Sequence, residues 1–176
     1  VAIGDTVRVV FVANRVYDHK YDEDTNAFEE EHARMAKDVL GYQEAHFERL
    51  PDEHLQSRFT DVIDVIERHL GEFGPEAVYV NHRNDPHQDH RTVFHAATIA
   101  LRSISRATSQ IEMVACYEIP SSTEQSPSYA EFAFLPNHYV DISDALDSKQ
   151  RAMECYSTEK RLFPNPRSIE GLAAYA

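Results

Sequence analysis

Ala77 to Leu101 reads AVYVNHRNDPHQDHRTVFHAATIAL, and the fold is decided here. The apolar run Ala77 to Val80 gives way to a polar segment holding His82, Asp85, His87, Asp89 and His90, and then to a helical pattern. Strand, loop and helix start therefore follow one another directly. If Asp89 caps that helix, His90 is its first residue and His87 lies on the loop before it, so both imidazoles can face one cavity at the strand's carboxyl end. Open α/β sheets bind ligands at such places. Neutral imidazole is a common ligand of transition metals, and a neighbouring carboxylate fixes which ring nitrogen carries the proton. The string HQDH is thus a candidate metal or acid-base site, or else a polar helix N-terminus in a chain with 10 histidines.

The flanking chain repeats the alternation of strands and helices. Val7 to Ala13, VRVVFVA, is an unbroken run of the kind found in strands buried on both faces. Asn26 with Glu29 resembles a capping box, and a helix is predicted over Ala27 to Leu40 with Gly41 as its C-cap. Phe28, His32, Met35, Ala36, Val39 and Leu40 form its apolar side, with His32 an interior histidine. Ala45 to Leu50 reads as a strand. Phe59, Val62, Ile63, Ile66 and Leu70 then mark an amphipathic helix ended by Gly71, Gly74 and Pro75.

After the central stretch, Val93, Phe94, Ala97, Ala100 and Leu101 suit helix packing on a sheet, and Glu112 to Ile119 reads as a strand. Phe132 to Leu135 and Tyr139 to Ile142 suggest a hairpin around Pro136 and Asn137, with His138 in the turn. A helix from Ser143 to about Ser157 and a last one from Ser168 complete the chain. The expected architecture is a Rossmann-like three-layer α/β sandwich with a mostly parallel sheet.

Composition narrows the function. At 176 residues and 42% hydrophobic, one domain with a sizeable core is expected. A net charge of -13 argues against nucleic acid and anionic membranes as partners. The acidic block Tyr17 to Glu31 reads as a solvated loop and helix face. Cys116 and Cys155 form no C-x-x-C and read as small buried hydrophobes. No apolar run approaches the ~20 residues that span a bilayer, and no signal peptide opens the chain, so a cytoplasmic setting is expected. No G-x-G-x-x-G follows any strand, and five glycines disfavour a nucleotide-binding enzyme.

VYVNHRNDPHQDHRTVFHAATIALR resembles the second motif of the PIG-L/LmbE-like zinc-dependent N-deacetylases, with its strand, H-x-D-H and alanine-rich helix. GDTVRVVFVA, EEEHARMAKDVLGY, YEIPSSTE, FLPNHYVDIS and KQRAMECYSTEKRLFPNPRS also resemble family segments in family order. The resemblance implies an LmbE-like fold and zinc as cofactor, with His90 as a zinc ligand. It further implies that His87 stabilises the oxyanion of the tetrahedral intermediate and that Asp89 orients and charge-stabilises His87. The family's A-H-P-D-D-E motif, which carries its other ligands and general base, is not in this sequence. Residues 1-176 therefore read as a single deacetylase-like domain truncated at both ends, with the missing groups expected upstream of Val1.

The implied activity is zinc-dependent removal of an acetyl or other acyl group from the amine of an N-acylated sugar or sugar-derived substrate. A catalytically silent binding module of the same fold is the alternative, and a homo-oligomer is possible. Two further residues are candidates for substrate contact. Asp85 either contacts substrate or polarises a histidine, or forms an ordinary N-D-P turn. Glu118 lies near the carboxyl end of its strand, beside a loop whose Ser121, Ser122 and Thr123 either bind sugar hydroxyls or are unremarkable loop residues.

Overall fold

The computed structural model describes residues 4-14, 23-102 and 108-175. Of the acidic loop expected over Asn14 to Thr25, residues 15-22 lie outside them, while Asn14 ends a strand and 23-25 are already helical. The chain divides into two compact units, one built from residues up to Phe47 and from Leu135 onward, the other from Glu48–Phe134. Strands and helices alternate in a Rossmann-like α/β fold. The strands form small sheets, β1 with β2 and β3 with β4, among the described residues.

β1 (Arg8–Asn14) pairs with β2 (Glu44–Pro51), whose residues 44-47 belong to the first unit. Phe11 stacks on Phe47 with ring centroids 4.9 Å apart, and the Arg34 guanidinium covers Phe47 at 4.8 Å. α1 runs over Glu23–Leu40, beginning before the predicted start, so Asn26 lies inside the helix and forms no capping box. Gly41 closes it as expected, at φ 74° with its amide bonded to Lys37 O.

α1 packs on α4 (Leu146–Cys155), which also meets α5 (Ile169–Ala174). Ala33 and Ala36 of α1 and Ala152 of α4 are all buried. Small residues let helix backbones approach closely, and Phe28 and Met35, expected in the core, are about half exposed. His32 is interior, as predicted, with Nε2 3.3 Å from Ser157 Oγ. The segments expected as a hairpin, 132-135 and 139-142, carry no strand. Ser143 opens a short 3-10 turn rather than the helix, its amide and hydroxyl both donating to Asp141 Oδ1 at 2.9 and 2.6 Å. The last helix starts where predicted, with Ser168 as the N-cap of α5, accepting from Gly171 N.

The second unit carries the central stretch. A 3-10 turn, Leu55–Arg58, leads into α2 (Phe59–Phe73), which includes Gly71 and ends at Gly74, φ 62°. β3 (Ala77–Asn81) and β4 (Met113–Tyr117) are parallel neighbours with Val78 opposite Val114 and Val80 opposite Cys116. Between them α3 (Gln88–Ala100) makes the crossover that a parallel pair requires. α2 and α3 pack through Val62, Val65, Leu70, Ala96, Ala97 and Ala100. Of the α3 residues expected against the sheet, the alanines are buried while Val93, Phe94 and Leu101 stay partly open. Neither cysteine is the buried hydrophobe expected: Cys116 is exposed and Cys155 half-buried, both as free thiols. No helix among the described residues is long and apolar enough to cross a membrane.

Candidate active site

The polar segment between β3 and α3 is held from both sides. Asn81, the last residue of β3, donates through Nδ2 to His90 O at 2.8 Å and to His82 O at 3.2 Å. Arg91 donates to the carbonyls of Asp85 and Pro86 at 3.0 and 2.6 Å. His82 is buried, its amide bonded to Tyr117 O and its ring edge-on to Phe134 at 5.3 Å. Ser126 donates to Asn84 O at 2.6 Å, which joins the loop after β4 to the loop after β3.

Asp85 is the anchor of this arrangement. Its side chain is fully buried, and its oxygens accept from Ser122 Oγ (2.6 Å), Thr123 Oγ1 (3.0 Å) and His87 N (2.9 Å). Burial raises its pKa, but the hydroxyl and amide donors with the charge of His90 outweigh it and hold the carboxyl below its ordinary value. Asp85 is therefore an ionised acceptor and not merely a turn residue. Ser122 and Thr123, which by sequence either bind sugar hydroxyls or are ordinary loop residues, serve as its donors.

His90 Nδ1 lies 2.9 Å from Asp85 Oδ1, at ion-pair distance though outside hydrogen-bond alignment. Burial lowers the imidazole pKa, and Asp85 only partly restores it. The ring is accordingly neutral near pH 7. The negative charge beside Nδ1 favours the single ring proton on that nitrogen, which leaves the lone pair on Nε2. Metal-ligating histidines are held in this way by a carboxylate on the other nitrogen.

His87, not Asp89, is the N-cap of α3. Its Nδ1 accepts from Asp89 N at 3.2 Å, and its ring stacks on that of His90 with centroids 4.6 Å apart. A nitrogen that accepts carries no proton, so neutral His87 presents Nε2–H as a donor. Asp89 lies in the first turn of α3 and is buried, and it reaches His87 through its main-chain amide. Its carboxylate accepts instead from Glu53 N (2.5 Å) and Leu55 N (3.2 Å). A further carboxyl, Asp52, hydrogen-bonds Asp89. Burial first and then Asp89 push its pKa up, against the opposing charge of His87. Sequence reasoning missed Asp52, whose only local signal is its place after Pro51 at the end of β2.

Glu118 is exposed just beyond β4. It lines a cleft of about 460 Å³ together with Thr123, Glu124, Tyr129, Phe132 and Phe134. Thr123 is shared between this cleft and the Asp85 shell.

For zinc, His90 has the chemistry of a ligand, with Nε2 free of the Asp85 contact. No group of three His, Cys, Asp or Glu side chains arranged to hold a metal ion occurs among the described residues. They fit one coordination position rather than a complete site.

A half-buried histidine beside a buried carboxylate at the carboxyl end of a parallel strand, followed directly by a crossover helix, defines an α/β protein with its chemistry at the strand end. The family model described as PIG-L: GlcNAc-PI de-N-acetylase matches residues 1–101, and the chain belongs to that family. It is thus related to deacetylases. No curated protein matches it significantly.

Proposed function

We propose that this chain is the core of a zinc-dependent N-deacetylase that hydrolyses the acetyl amide of an N-acetylated sugar or a sugar derivative. The observation that carries this reading is the Asp85–His90 pair, a neutral imidazole held from Nδ1 by a buried carboxylate. His90 supplies one ligand through Nε2, and the remaining ligands and the general base come from outside the described residues. Zinc with an open position supplies a water acidic enough to attack an amide near neutral pH. His87 donates from Nε2 to the oxyanion that develops on the amide carbonyl, a contribution of roughly 3 kcal/mol in comparable sites. Asp89 holds that ring in its donor tautomer through its amide, while Glu53 N and Leu55 N fix the Asp89 carboxylate.

The test is zinc content and hydrolysis of N-acetylglucosamine derivatives by the longest reading frame containing this chain, beside its His90→Ala variant. One zinc per chain and turnover in the parent, both lost in the variant, is the expected result. Absence of zinc from both overturns the reading. A second reading, a catalytically silent binding module, is favoured by the lack of a three-donor group among the described residues, and the same experiment decides between them.

A further inference from the structure

The cleft after β4 has a chemistry of its own. Glu118 and Glu124 line it, and no lysine or arginine does. Neither carboxylate has a salt bridge among the described residues, whereas Glu44, Glu48 and Glu159 each pair with an arginine. Tyr129, Phe132 and Phe134 supply its aromatic surface, and Ser126 and Ser128 its hydroxyls.

Aromatic faces attract cations through the ring quadrupole, and a carboxylate beside such a face adds a charge-assisted hydrogen bond. The same surroundings repel phosphate and carboxylate groups. At about 460 Å³ the cleft falls within the range of small-molecule sites. A net charge of -13 reinforces the sign of the local field. The cleft also has a fixed relation to the histidines. Its wall residue Thr123 bonds Asp85 Oδ2, and Asp85 Oδ1 faces His90 Nδ1. A ligand seated in the cleft therefore lies against the loop that carries Asp85.

We propose that this cleft receives the part of the substrate beyond the scissile amide and selects amino sugars that carry a free ammonium group over sugars that carry phosphate. The assignment rests on the deacetylase reading for the word substrate, but the binding preference stands apart from turnover.

The experiment is an amide-resolved NMR titration of the full chain with 6-amino-6-deoxy-N-acetyl-D-glucosamine, N-acetyl-D-glucosamine and N-acetyl-D-glucosamine 6-phosphate. Wild type is compared with a Glu118→Gln, Glu124→Gln double variant and with a Glu118→Lys, Glu124→Lys double variant. In wild type, the 6-amino sugar is expected to bind about tenfold more tightly than the phosphate, a difference of the size that charge-assisted contacts give. Its shifts should fall within residues 118-134. The Gln pair should abolish the preference and the Lys pair reverse it.

Equal or tighter binding of the phosphate by wild type overturns the proposal. So does an unchanged ratio in the Gln variant, perturbation confined to other residues, or binding of none of the three sugars. A chain with the preference but no hydrolysis removes only the deacetylase reading. Hydrolysis of N-acetylglucosamine without the preference removes only the selectivity.

Discussion

His90 Nδ1 sits 2.9 Å from an Asp85 oxygen that also accepts the His87 amide, so one buried carboxylate holds both ends of the HQDH segment. Asp85 thereby connects the loop after β3, the first turn of α3 and the hydroxyls of Ser122 and Thr123. Removing it leaves several buried polar groups without an acceptor.

Asp85→Ala is expected to destabilise the chain by about 3 kcal/mol, the usual cost of breaking a buried charged network. Asp85→Asn, which keeps the shape, should cost less. Urea unfolding midpoints measure both. Zinc affinity should fall about 10-100-fold in Asp85→Asn, because the carboxylate that orients the ligand is lost.

The two roles of His87 separate by substitution. His87→Ala loses the α3 cap and about 1 kcal/mol of stability. His87→Asn retains a side-chain oxygen able to cap, so its unfolding midpoint should stay near wild type, while turnover falls about 10²–10³-fold for want of the Nε2 donor. Equal destabilisation of both variants would show that the cap bond is not what Asn preserves.

Glu48 provides the pH test away from the site. Burial pushes its pKa up, but His69 and Arg68 outweigh this and leave it below the ordinary 4.5. Its Oε1 lies 2.8 Å from Nε2 of the buried His69. Because the folded value is the lower one, the unfolded chain takes up the proton first as pH falls. The stabilisation is thus complete above 4.5 and is lost as pH falls through the folded value. Thermal melts across this window should decline more steeply for wild type than for Glu48→Gln.

Gly74 terminates α2 at φ 62°, and a Cβ there meets the Gln110 side-chain amide. Gly74→Ala should cost about 1-2 kcal/mol through left-handed strain and displacement of that side chain. Gly71, inside the helix with open space around its Cα, should instead gain up to about 1 kcal/mol as Ala. Differential scanning calorimetry of the pair gives the comparison.

Much of this protein was legible in local pattern. The apolar run of β3, the glycine closing α1, the start of α5 at Ser168 and the alanine spacing of α3 depend on near neighbours, and local pattern reports these. The family was legible for the same reason, since H-x-D-H between a strand and an alanine-rich helix is contiguous. Other features lay beyond that reach. Asp89 has the composition of an N-cap, yet amides of Glu53 and Leu55, far back in the chain, draw its carboxylate away and leave the cap to His87. Asp85 has the local signature of a turn, and only hydroxyls 37 and 38 residues later make it a buried anion. Phe28 and Met35 follow the helical period, yet the buried positions of α1 include Ala33 and Ala36 while Phe28 and Met35 are half exposed. Sequence alone determined the alternation of strands and helices through β4, though not the hairpin expected over 132-142, and which residue types lie beside one another in the motif. Tertiary structure decided which carboxylate faces which imidazole, because that depends on donors brought from distant segments into a space from which water is excluded.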